Sequence, residues 1–384
     1  MSSTTFFKRA AWLGLALSSL ACAVAQADQP VLIGLAGPLT GPSARIGKDL
    51  ENGAQLAISD ANAKHPTLGG KPVTFKLVSE DDQSDPRTAV TVAQRLVDAG
   101  VVGVVGHWNT GTSIPAARVY HDAGIAQVAP VATGHAYTQQ GFDTSFRIMG
   151  HDDDGGQVAG KYALQTLKAQ RIAVIDDRTA FGQGLADQFV KSIEGQGAKV
   201  VAREYVDDKT VDFSAVLTNI RAQNPDLIFF GGVDSQAAPL ARRIKQLGIK
   251  ATLMGAGGFV SQTFLQLVQN DGEGVTALEP GLAIDQMPGG KAFEQAYRER
   301  FKAPIELHAP FAYDGVGVLI AAIEKADSVD PQKYLPVLRA SNYSGVTGTI
   351  AFDAQGNLKN PSFTVYQVKA NQWQPVSVAH GGQQ

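Results

Sequence analysis

The chain has 384 residues, with 33 Lys and Arg against 36 Asp and Glu and a single cysteine, Cys22. That length accommodates two substantial domains, and the slight acidity with scattered Lys and Arg argues against a nucleic-acid surface. Beyond the first thirty residues no stretch approaches a twenty-residue apolar span, so the body of the chain is not expected to cross a membrane.

At the N-terminus, Lys8 and Arg9 precede an apolar run over 10–27 that ends in Ala25-Gln26-Ala27, a small-x-small cleavage pattern. This predicts a secretory signal peptide over 1–27, cleaved after Ala27. A membrane anchor is the competing reading, weakened because the run is short and rich in small residues. Cys22 follows Ser19-Leu20-Ala21, which sets the leucine one place too close for a lipoprotein signal. Cleavage removes Cys22, leaving a mature chain without a disulfide or thiol nucleophile. An exported protein tolerates that when its core is large. Loss of Lys8 and Arg9 also brings the net charge to about −5.

From residue 31 the chain alternates short β-rich runs with helical ones. A strand over 31–36 stops at Gly37-Pro38-Leu39-Thr40-Gly41-Pro42, and a helix near Ser43 buries Leu50, Ala54, Ala57 and Ile58. A strand over 73–78 leads into the acidic turn 80–86. A helix over 88–99, a strand over 101–105, a helix over 113–122 and a strand over 125–128 follow. After Gly150 a second set begins: helices over 157–167, 185–193, 213–221 and 239–247, with strands over 172–175, 200–205, 227–230 and 252–254. This grammar predicts α/β lobes with mostly parallel sheets. A weak repeat supports two lobes. A helix, a buried strand and Gly106 in one half match a helix, a buried strand and Gly231-Gly232 in the other. Beyond Gly281 come helices over 292–301, 310–324 and 334–338 and a strand over 363–368. This tail is too small for a third core and is expected to complete the first two.

Loops at the carboxyl ends of parallel strands are where open α/β sheets bind ligands. Trp108, Asn109 and Thr110 follow one such strand and enter a helix, either as a seat for a carboxylate or as an ordinary N-cap and turn. Ala132 and Thr133 follow the next strand, either as further donors or as a plain connection. Val233 and Asp234 hold the matching place in the second half, with Asp234 either an acceptor for an ammonium group or a helix cap. Phe181, Trp108, Tyr137 and Tyr313 are candidate apolar walls, or core. Enzyme chemistry finds little material: there is no dinucleotide fingerprint, phosphate loop or Gly-x-Ser-x-Gly elbow, and the histidines lack metal-ligand spacing. His151-Asp152-Asp153-Asp154 reads as a solvated helix start, and His107 as a holder of loop geometry. No cofactor or metal is expected.

Taken in order, Gly34-Leu35-Ala36-Gly37-Pro38-Leu39-Thr40-Gly41, Asp81-Asp82-x-x-Asp85-Pro86, Gly106-His107, Pro130-Val131-Ala132-Thr133, Phe181-Gly182-x-Gly184 and Gly231-Gly232 resemble the leucine/isoleucine/valine-binding protein family. The resemblance implies a type I periplasmic binding protein fold, two Rossmann-like lobes joined by three crossings near Gly150, Pro280 and Gly345. One lobe then spans 28–149 plus 281–345 and the other 150–280 plus 346–375, with 376–384 a frayed tail. It implies a periplasmic, monomeric, non-enzymatic protein that closes by a hinge on a small carboxylate-bearing ligand. The ligand is expected to be an amino acid, passed to the permease subunits of an ATP-driven importer. A sensory receptor of the same fold, or a carrier of amides, aromatic acids or other small carboxylates, are the alternatives. By the same resemblance Thr110, Ala132 and Thr133 hold the carboxylate. The chain departs from the family at the other end. The acid expected after Met254 is replaced at Gly257, a tyrosine by Val233 and an aromatic by Ile46, leaving Asp234 as the substitute acid. Ser84 and Asn109 stand where some members have a disulfide.

Overall fold

In the computed structural model, which describes residues 30–382, the alternation closes into two large sheets, with two small two-stranded ribbons beside them. The predicted signal peptide lies outside the described residues. The first sheet contains β1 (Val31–Gly37), β2 (Phe75–Asp81), β3 (Gly103–Gly106), β4 (Ala126–Ala129) and β5 (Ser145–Arg147). All are parallel, in the order β2-β1-β3-β4-β5. Helices α1 (Ala44–Asn62), α2 (Pro86–Asp98) and α3 (Thr110–Asp122) make the crossovers.

After α4 (Asp152–Gln165), the second sheet repeats the pattern with β6 (Arg171–Asp176), β7 (Lys199–Tyr205), β8 (Leu227–Gly231), β9 (Thr252–Ala256) and β10 (Thr276–Pro280). Its five parallel strands run in the order β7-β6-β8-β9-β10, which matches that of the first sheet strand for strand. Helices α5 (Ala180–Ile193), α6 (Ser214–Ala222), α7 (Asp234–Gln246) and α8 (Gln262–Val268) connect these strands. In each sheet the order reverses beside the first strand, which opens a crevice at the strands' carboxyl ends.

The remaining helices, α9 (Gly290–Phe301), α10 (Ala309–Ala326) and α11 (Pro331–Arg339), build onto the first lobe, α10 and α11 within its main core and α9 against α1 and the start of α10. Leu50, Ala54, Ala57 and Ile58 are buried on α1, as their spacing predicts. Gly53 lets α10 come close: a Cβ there would lie 2.1 Å from the Ala309 carbonyl oxygen. Among the described residues no helix is long and apolar enough to cross a membrane.

Helix starts are where the sequence reading falls short. The helices α3 and α7 begin at Thr110 and Asp234, ahead of the expected 113 and 239, because their first turns are polar and resemble loop. Strands β5 and β10 and helix α8 lacked a legible pattern of their own.

Two boundary expectations are corrected. Ile350 and Phe352 pack with Phe146 and Ile148 in the first lobe's core, and the main-chain N–H of Arg147 donates to the Gly356 carbonyl. The third crossing therefore lies just before β11 (Ser362–Lys369), not near Gly345. The expected frayed tail is, as far as His380, strand β12 (Gln372–His380), paired antiparallel with β11 along its length. Its outward side chains hid it, since an edge strand with both faces largely wet lacks apolar alternation. Residues 383–384 lie outside the described residues.

The crossings touch one another. The main-chain N–H of Gly281 donates to the Ser362 carbonyl at 2.7 Å, and the Thr364 hydroxyl donates to the Gly281 carbonyl at 2.8 Å. Fully buried Phe363 lies over Gly150, where a Cβ would come within 2.5 Å of the ring. We expect Gly150→Ala to lower stability by about 1–3 kcal/mol through overpacking, read as a shift in the urea midpoint. Phe363→Leu in the same chain should recover part of the loss; additive losses would show that the two positions do not press on each other.

Candidate ligand-binding cleft

The cleft is built from strand ends. Asp81, at the end of β2, accepts from the main-chain N–H of Leu39 at 2.8 Å and fixes the loop after β1. Its neighbour Asp82 is fully buried and contacts His107 Nδ1 at 2.7 Å, while His107 Nε2 lies 3.1 Å from the Tyr120 hydroxyl. His107 thus anchors the chain one residue before Trp108 and takes a positioning role. Asn109 holds the N-cap position of α3 without a side-chain capping bond, its Oδ1 accepting from the Thr112 hydroxyl, and the helix's first N–H groups, those of Thr110 and Gly111, have no intrahelical acceptor.

The loop after β4 is held from below. Arg147, buried at the end of β5, donates to the carbonyls of Ala132 (3.1 Å) and Gly134 (2.9 Å), the Thr138 hydroxyl and Asn357 Oδ1. With those carbonyls drawn inward, the N–H groups of Ala132 and Thr133 donate to nothing among the described residues. Thr110 Oγ1 accepts from the main-chain N–H of Gly134 at 3.0 Å, joining the two loops and leaving its hydroxyl proton free to donate. Asp152 lies against Thr133. Burial pushes its carboxyl up to about 7, opposed by the Thr133 hydroxyl and the charge of Arg147. The acidic run at 151–154 is therefore not simply solvated, because its first aspartate is buried under this loop.

Across the cleft stand Phe181 at the start of α5, Val233 before α7, and Gly257 after β9. Gly257 has φ +61°, and a Cβ there would meet the Phe181 ring at 2.9 Å, so the ring fills the space that a side chain would need. Val233 packs against the cluster of Ile46, Leu50, Trp108 and Ala312 from the opposite lobe. The lobes thus meet in a closed arrangement around a tight cavity.

Trp108, Asn109, Thr110, Ala132, Thr133, Phe181, Val233 and Gly257 all line this cavity, with Val131, Met149, Glu279, Pro280 and His308. Asp234 is the expected site residue that does not. Its carboxylate accepts from the main-chain N–H of Ser235 (2.8 Å) and the Ser261 hydroxyl (2.6 Å), tying α7 to α8. As the first residue of its helix, it serves that helix start. Tyr137 is core under the Arg147 guanidinium, and the Tyr313 hydroxyl donates to Asp60 at 2.9 Å; neither is a cavity wall.

The acid in the cavity is Glu279, at the end of β10. Its Oε1 accepts from the main-chain N–H groups of Gly258 (2.9 Å), Phe259 (3.0 Å) and Val260 (3.2 Å). Oε2 has only a second, longer bond from Gly258. Burial raises its carboxyl to about 7 against the pull of these three donors. The glycine-rich loop that lacks an acid of its own therefore wraps one from the next strand. A lone glutamate between Leu278 and Pro280, before the second crossing, was the available signal. His308 is the other residue that the sequence reading missed. Asp49 of α1 holds it by accepting from the N–H groups of His308 and Ala309, both at 2.8 Å. Burial takes the His308 imidazole down to about 3, so it is neutral.

Residues 30–372 match the family described as periplasmic binding protein. A leucine-, isoleucine-, valine-, threonine- and alanine-binding protein of Pseudomonas aeruginosa is 35% identical over 341 residues, covering 89% of this chain and 90% of the relative. An amino acid binding protein of the same organism is 36% identical, covering 92% and 94%. Among solved structures, the branched-chain amino acid transporter substrate binding protein of Streptococcus pneumoniae, in complex with isoleucine, superposes with a TM-score of 0.83 at 25% identity. That match covers 92% of this chain and all of the other.

Removing the Arg147 guanidinium strands several buried acceptors at once. We expect Arg147→Met to cost about 3 kcal/mol or more, measured by denaturant unfolding. An unchanged midpoint would mean that other contacts hold the loop.

Proposed function

The chain belongs to the periplasmic binding protein family and has its type I fold, and from that premise we propose that it is the extracytoplasmic receptor of an ATP-driven importer. It captures a small amino acid by hinge closure and delivers it to membrane permease subunits. Residues 1–27 are its export signal, and the mature chain begins at Asp28 and acts as a monomer.

The observation that carries this reading is the polarity of the cavity. One end offers donors without a charge: the Thr110 hydroxyl and the N–H groups of Ala132 and Thr133. This suits a carboxylate, which accepts several bonds at a helix start. The opposite lobe supplies Glu279, whose Oε2 retains acceptor capacity for an ammonium group. Neither Lys nor Arg lines the cavity among the described residues. A zwitterion therefore enters with each charge matched, whereas an isolated buried ammonium would be expensive. Because the two ends belong to different lobes, a ligand that bridges them stabilises closure, and hinge motion follows from differential binding.

Three outcomes test this. Thr110→Val should weaken amino-acid binding by about 1–3 kcal/mol by calorimetry; unchanged affinity removes Thr110 from the clamp. Glu279→Gln should abolish most of the affinity, while Asp234→Asn should leave it within a few-fold. The reverse ranking would restore Asp234 as the ammonium partner. The pH dependence has a definite sign. With the empty-site Glu279 carboxyl near pH 7, a proton must leave before an ammonium binds at lower pH. Affinity should then fall roughly ten-fold from pH 8 to pH 6. Glu279→Gln should flatten that slope in whatever affinity remains, and a slope that persists in this variant would assign the proton elsewhere.

A further inference from the structure

Two cavity-lining rings hold polar atoms without partners. Trp108 and His308 are 5% and 3% exposed, and their ring centroids lie 6.5 Å apart. Trp108 Nε1 and His308 Nδ1 are both buried and without a hydrogen-bond partner among the described residues. A buried polar atom left unpaired is destabilising, so two of them in rings that line one cavity call for a reason. Neither ring is loosely placed. His107 anchors the residue before Trp108, and Asp49 grips the N–H groups at His308 and the residue after it. A cavity built for a purely aliphatic side chain would be lined more cheaply with Phe or Leu at both positions.

We infer that the cavity selects an amino acid with an uncharged, oxygen-bearing side chain, a hydroxyl or primary amide, whose polar group bonds Trp108 and His308. The inference rests on the amino-acid reading above and refines it. Indole N–H is a donor only, so its partner must be an acceptor oxygen. Neutral imidazole Nδ1 donates or accepts according to its tautomer, and a hydroxyl or amide satisfies either. A charged side chain is disfavoured. No Lys or Arg among the described residues lines the cavity to balance a second carboxylate, and a second ammonium would have to share Glu279. A site that hydrogen-bonds a substrate group rejects the isostere lacking it, because its own buried polar atoms are then left unpaired.

The test uses shape-matched pairs titrated calorimetrically into the mature protein: threonine against valine, and asparagine against leucine, with alanine as the side-chain-neutral reference. We expect the polar member of at least one pair to bind ten-fold or more tightly than its aliphatic partner. His308→Phe and Trp108→Phe, which keep a ring in place, should each shrink that ratio toward unity. Equal binding within both pairs, with alanine also bound, overturns the inference and leaves the amino-acid reading intact. A preserved ratio in both variants overturns it as well. If none of the five ligands binds, the amino-acid reading itself has failed, and the inference falls with it.

Discussion

The Arg147 guanidinium, carried into the interior at the end of β5, is the contact around which the first lobe is organised. Burial draws its proton affinity down, yet Asp152, Asp153 and Asp353 supply compensating negative potential. Its N–H groups are met by the carbonyls of Ala132 and Gly134, by Thr138 and by Asn357. One charge therefore joins the connection between β4 and β5 to the segment before the third crossing, more than 200 residues away in the chain. Planar, fork-shaped donors suit this work better than a lysine point charge. The consequence for the cleft is directional. Carbonyls turned down toward Arg147 leave the N–H groups of the same loop free for a ligand.

The second lobe reaches a complementary result by the opposite means. There a carboxylate is buried and backbone N–H groups turn inward to meet it, as Gly258, Phe259 and Val260 do around Glu279. The loop can wrap that closely because Gly257 and Gly258 adopt positive φ. The cavity thus lies between a wall whose donors face out and a wall whose acid faces in. The shared strand order of the two sheets sets these walls opposite each other, because both crevices open at carboxyl ends beside the point of reversal.

Three packed crossings connect the walls. Gly281 is hydrogen-bonded to Ser362 and Thr364, and Phe363 lies on Gly150. The third crossing touches both of the others, so flexing it alone would break contacts with each. Across the cleft Val233 meets Trp108 and Leu50, so the lobes stand closed on each other.

The sequence by itself determined the α/β lobes, the repeat and the loops that bear the cleft. Each rests on local signals: apolar runs of strand length, turn residues at strand ends, and helix periodicity. Trp108, Asn109, Thr110, Ala132, Thr133, Phe181, Val233 and Gly257 were legible for that reason, since all lie in loops after recognisable strands or at the helix starts that follow. Tertiary structure decided which acid lines the cavity. Asp234 had the right loop position, but its carboxylate is occupied by Ser235 and Ser261. Glu279 sits on a strand with no pattern of its own and becomes a cleft residue only because β10 lies beside β9. His308 is likewise placed by Asp49, 259 residues away in the chain. Local pattern states where loops fall, but which side chains face a common space depends on sheet neighbours and distant hydrogen bonds. No window along the sequence contains those.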